Sequence, residues 1–163
     1  MESDKKSLKE LKKRYNLLKE KYSLPEFEKL NENFQIEKIC DIETDLLAKE
    51  IRKVILEKFF DYFKLIESLL NPAQESSLVI FAIAKKIDNP KKEKLIEIYK
   101  KISFLQFDVL NLDLNYSEKK EVDSIKKYLK LWEEIKPELI SVFSSLEKEL
   151  EKSEKNNISN YLG

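Results

Sequence analysis

The sequence contains no histidine, and its only glycine is the last residue, Gly163. Without histidine there is no His-based catalytic triad, no imidazole metal ligand and no ordinary side chain titrating near neutrality. Without an internal glycine, no Gly-rich loop brings backbone amides against a phosphate in the manner of P-loop or dinucleotide-binding folds. The single cysteine, Cys40, leaves no intramolecular disulfide to form. The longest apolar run, Leu78 to Ala84, is far shorter than the roughly 20 residues that cross a bilayer. The first residues, Met1 to Lys6, lack the apolar stretch of a secretory signal, so a cytoplasmic location and no membrane partner are expected. Neither sign of charge prevails, with 31 basic and 31 acidic side chains, so no global field draws the chain to nucleic acid or an anionic membrane, and any charge-driven partner is expected to use a local patch.

What is abundant points to a helical core. The 163 residues are 42% hydrophobic and include nine Phe, seven Tyr and one Trp, enough to bury a core without disulfides or metals. Leu8, Leu11, Tyr15, Leu18 and Tyr22 alternate three and four apart, the a/d spacing of a coiled-coil seam, which predicts an amphipathic N-terminal helix. Pro25 suits the start of a short helical turn to about Asn31, and the residues from Asn33 to Cys40 read as a connector. Asp41, with Glu43 and Asp45 after it, predicts the capped start of a long helix whose apolar residues keep phase from Leu47 to Leu70. Asn71 and Pro72 then end that helix and begin another, with Gln74 placed to complete a capping box. That next segment, to about Ile87, is the most apolar of the chain and is expected to be deeply buried. Asn89 and Pro90 repeat the punctuation before a helix expected to pack on two sides, one seam running through Leu95, Ile98, Ile102, Leu105, Val109 and Leu112, the other face through Ile96, Tyr99, Phe107, Leu110 and Leu114. Ser117 caps the last helix, whose phase holds through Pro137 and predicts a kink rather than a stop.

The expected fold is all-α: an antiparallel helical bundle of four main helices plus an N-terminal amphipathic helix. It is read as a single domain over residues 1–163, with the amphipathic helix at 1–22, a connector at 23–40, the bundle at 41–155 and a flexible tail at 156–163. The stretch Leu24 to Ile39, LPEFEKLNENFQIEKI, resembles uncharacterised small all-helical proteins of AT-rich archaeal genomes. That resemblance implies a helical fold and transfers no functional residue.

The chemistry-bearing residues each have a plainer reading. Asp41, Glu43 and Asp45 imitate the start of an EF-hand loop, but no glycine stands at its sixth position and no glutamate at its twelfth. Asp108 has no nucleophile beside it in sequence, Cys40 has neither a histidine nor a second cysteine, and Trp132 belongs to the apolar seam of the last helix. No catalytic residue, cofactor, metal or small-molecule substrate is therefore expected, and the chain is read as a non-enzyme. Its leading function is a protein-interaction or assembly module, pairing with a protein partner or with its own copy through Leu8, Leu11, Tyr15, Leu18 and Tyr22. The alternative is an accessory nucleic-acid or ribosome-associated protein without sequence specificity. Residues 1–22 carry eight basic against four acidic side chains, and residues 85–101 carry seven Lys against three acids. Lys12, Lys13, Arg14, Lys91, Lys92 and Lys94 are its candidate phosphate contacts.

Overall fold

Apolar residues recurring at three and four can be buried together only on a helix, and this spacing dominates the chain. The computed structural model describes the backbone of residues 2–73 and 77–161 and the side chains of residues 7–73 and 77–151. Among the described residues the elements are α1 (Glu2–Tyr22), α2 (Phe27–Phe34), a 3-10 turn (Ile36–Ile39), α3 (Leu47–Leu70), α4 (Leu78–Ala84), α5 (Asn89–Leu114) and α6 (Glu118–Tyr161), with no strand. The all-α reading holds. No helix among these residues is long and apolar enough to cross a membrane.

The scarcity of glycine is visible in the turns. Helices commonly end on a left-handed residue, usually glycine. Here Ser23 (φ 54°) and Gln35 (φ 56°) take that conformation instead. The Gln35 amide donates to the Asn31 carbonyl at 2.7 Å, closing α2. The connector is thus more helical than its sequence suggests, because Phe27, Leu30 and Phe34 share a buried face and Ile36 and Ile39 bury the turn that follows.

Helix starts also shift. The α3 helix begins at Leu47, six residues after Asp41, and Thr44 Oγ1 accepts from the Leu46 amide just before it. The α4 helix is capped by Ser77, whose Oγ accepts from the Ile80 amide at 3.3 Å, while Gln74 lies outside the described residues. Asp88 rather than Asn89 caps α5, accepting from the Lys91 amide at 3.0 Å. At α6 the expected cap is found, with the Ser117 hydroxyl oxygen accepting from the Lys120 amide at 3.5 Å. That helix runs through Pro137 to Tyr161, beyond Lys155, where the apolar phase ends.

The chain folds as two compact units, Met1–Phe60 with Gln106–Trp132, and Asp61–Leu105 with Glu133–Gly163. In the first, α1 and α2 form a hairpin in which Tyr15 donates to the Pro25 carbonyl at 2.7 Å and packs edge-on to Phe27 at 5.4 Å. Its aromatic centre joins Phe34, Phe59, Tyr128 and Trp132, with Phe59 and Trp132 ring centroids 5.6 Å apart. Trp132 is buried, as its place in the seam requires, and its Nε1 donates to Asn33 Oδ1 at 3.1 Å. In the second unit the core comprises Ile66, Leu69, Leu95, Ile98, Ile102, Leu105, Ile135, Leu139, Val142 and Leu146. Ion pairs Lys91 to Glu149 (2.9 Å) and Lys101 to Glu134 (2.7 Å) join rising positions on α5 to falling ones on α6, so these stretches are antiparallel.

Two expectations about burial fail. The α4 helix buries no residue, and Leu78 and Val79 are 87% and 64% exposed. On α5 the seam of Leu95, Ile98, Ile102, Leu105 and Leu112 is buried, but Phe107, Leu110 and Leu114 of its second face are 60% or more exposed. Apolar content brought neither patch inside. The α4 helix has two turns without a polar side to set its orientation, and the second face of α5 is covered only in part: Tyr99 stacks on Phe63 at 4.3 Å while Phe107, Leu110 and Leu114 stay outward.

Candidate interaction surfaces

The α1 seam is turned inward. Leu11, Tyr15 and Leu18 are buried within the first unit, and Leu8 and Tyr22 are half-buried. Polar residues fasten the helix around that seam. Lys12 pairs with Glu28 at 2.9 Å, Lys19 with Glu26, and Arg14 donates to the Thr44 carbonyl. At the end of the helix, Lys21 and Tyr22 both donate to Glu118 Oε1, at 2.7 and 2.6 Å. These hydrogen bonds, to Glu118 first, push the Lys21 ammonium up to about 12. Burial, followed by the charges of Glu26 and Glu28, holds the Tyr15 hydroxyl well above the usual phenol range. The apolar residue α1 leaves outward is Leu17, at the rim of a hollow of about 450 Å3 bordered by Arg14, Lys21, Asp45 and Glu118. Its rim mixes both signs and so selects neither a cation nor an anion.

The candidate phosphate contacts fall into two groups. Lys12 and Arg14 are engaged as above, and Lys91 bridges Asp88 (2.8 Å) and Glu149 (2.9 Å). Lys13, Lys92 and Lys94 are exposed. The first three of the six contacts sequenced together, 12–14, belong to one unit and 91, 92 and 94 to the other.

Candidate catalytic groups find partners instead. No group of three or more Cys, Asp and Glu side chains able to hold a metal exists among the described residues. Asp108 forms an ion pair with Lys127. The Tyr128 hydroxyl is buried without a well-formed hydrogen bond, although the Ser124 hydroxyl lies near it. Desolvation, helped by the charge of Asp108, pushes it up to about 12.

Sequence reasoning missed the buried ion pair of Arg52 and Glu121, whose side chains are 1% and 0% exposed. Arg52 Nε donates to Glu121 Oε2, and its Nη2 donates to Asp113 Oδ1 at 2.9 Å, with Lys49 3.6 Å from the same oxygen. The signal was in the spacing. Arg52 lies four after Ala48 and three before Ile55, and Glu121 four before Ile125, so both charges sit on stripes that are otherwise apolar and buried. Arg52 bonds both oxygens of Glu121 as well as Asp113, so the buried charges compensate one another. Its role is structural.

The surfaces left over are apolar. Phe107, Leu110 and Leu114, at spacings of three and four, form an exposed ridge on the first unit's stretch of α5. The second is α4, in the other unit. No protein family, curated protein or solved structure matches the chain.

Proposed function

We propose that this chain is a non-enzymatic helical interaction or assembly module, working in the reducing cytoplasm where Cys40 stays a thiol. The observation that carries the reading is the exposed ridge of Phe107, Leu110 and Leu114. Large apolar side chains held outward on one helix face mark a place where a second surface is expected, and helix-in-groove recognition uses the same spacing. The burial of Leu11, Tyr15 and Leu18 moves the proposed contact away from the α1 seam and onto α5. The bundle serves as scaffold, with α3, α5 and α6 as its main helices. An antiparallel arrangement is supported in the second unit by the Lys91–Glu149 and Lys101–Glu134 pairs, whereas α4 adds nothing to a core and weakens the case for four main helices.

Capture from native lysate with wild type and Phe107→Lys/Leu114→Lys as baits tests this, alongside light scattering of each. The expected result is loss of a specific partner, or of a dimer, in the variant alone. A monomeric wild type whose captured proteins are unchanged by the substitutions would end the reading. The nucleic-acid alternative is supported by the exposed Lys13, Lys92 and Lys94, and predicts generic RNA binding that weakens steeply with salt.

A further inference from the structure

The α4 helix has the composition of a core element and the exposure of a surface one. Its sequence, LVIFAIA, has no hydrogen-bonding side chain, and none of its residues is buried. Directly after it come Lys85 and Lys86, both exposed. Leu69, Phe81, Ala84, Lys85, Ile87 and Lys92 all line one shallow hollow of about 330 Å3, so the lysines and the helix belong to one place on the second unit. Of the acids nearby, Asp88 is taken up by Lys91, which also holds Glu149, while Glu93 is exposed beside Lys92 and Lys94. Over residues 77–94 five Lys stand against Asp88 and Glu93, an excess of positive charge.

We infer that α4 and its lysines form a docking surface for an anionic lipid bilayer, with Leu78 and Val79 entering the headgroup boundary and Lys85, Lys86 and Lys92 meeting the lipid phosphates and carboxylates. An exposed apolar helix flanked by cations is the arrangement that binds membranes from one side. Residues 77–94 carry no Trp, Tyr or Arg; their apolar side chains are aliphatic apart from Phe81, and their cations are the flexible point charges of Lys, which suit a fluid surface of diffuse charge. The surface lies on the cytoplasmic side in the proposed setting, where the leaflet is negatively charged. It departs from the sequence expectation of no membrane partner because the segment expected in the core is outside it.

Flotation with vesicles of phosphatidylcholine alone, and with about 30% phosphatidylserine added, tests the inference on the full chain. Wild type is expected to float with the anionic vesicles only and to be released as salt rises. Leu78→Asp/Val79→Asp should weaken this binding at least about tenfold, and Lys85→Glu/Lys86→Glu/Lys92→Glu by a similar factor, both at unchanged melting temperature. No binding to anionic vesicles, equal binding to neutral ones, or indifference to either set of substitutions would overturn it. So would lysine-dependent binding of RNA without binding of lipid. The Phe107→Lys/Leu114→Lys variant should bind vesicles as wild type does, which distinguishes a failed α5 contact from a failed α4 one.

Discussion

The helices α1 and α4 reverse what their compositions suggest. The α1 helix is largely charged yet has Leu11, Tyr15 and Leu18 buried, whereas α4 is wholly apolar and buries nothing. Phase explains the difference better than hydrophobicity. A stripe that returns every three to four residues over five turns gives a helix one face to bury and one to leave in water, and the surrounding charges then fix it to α2. Seven apolar residues pointing in all directions give α4 no such orientation.

Substitution of the two helices in parallel should give the largest contrast. Leu11→Lys/Leu18→Lys removes two buried side chains worth on the order of 2 to 5 kcal/mol each and should lower the melting temperature sharply. Leu78→Lys/Val79→Lys, at exposed positions, should change stability by no more than about 0.5 kcal/mol. Equal losses, read by thermal circular dichroism, would break the comparison.

The buried ion pair sharpens it, since charge too is placed by phase. Glu121→Ala leaves the Arg52 guanidinium buried without its main partner and should cost about 3 to 5 kcal/mol in denaturant titration. Arg52→Met/Glu121→Leu, which removes both charges, should recover most of that loss. A single substitution that costs nothing would mean that the pair is solvated.

Alkaline titration has a smaller expected effect. Below pH 10 both folded and unfolded chains hold a neutral Tyr128, and its contribution to stability is complete. Between pH 10 and about 12 the unfolded chain ionises while the folded one does not, so stability falls by on the order of 1 to 2 kcal/mol. Tyr15, also raised, acts in the same direction. Tyr128→Phe should reduce this slope and, by removing a buried hydroxyl without a good partner, should not weaken the protein at neutral pH. An unchanged slope in the variant would place its hydroxyl in water.

Much of the fold was legible where phase was long. The α3 and α6 seams, the burial of Trp132 and the first face of α5 all follow from spacing that continues over many turns. The misreadings fall where phase is short or competing. Asp41, Glu43 and Asp45 offer a cap and first-turn charge without an apolar stripe to fix where the helix starts, and the helical turn expected to about Asn31 runs on to Phe34 and a 3-10 turn, where the apolar positions are too few to show a period. The second face of α5 looked like packing because periodicity reports an apolar stripe without reporting what covers it. Phe107, Leu110 and Leu114 were thus identified as a face, and their exposure depended on partners no local pattern specifies. The Lys clusters were legible as charge, but not their engagement with distant acids such as Glu149.

The central claim is that α1 spends its seam inside the protein while α5 keeps a ridge outside for a partner. Thermal unfolding of Leu11→Lys/Leu18→Lys beside Phe107→Lys/Leu114→Lys tests it most directly. The account predicts a sharply lowered melting temperature for the first variant and one within a few degrees of wild type for the second. A stable first variant, or a second that unfolds as early as the first, would contradict it.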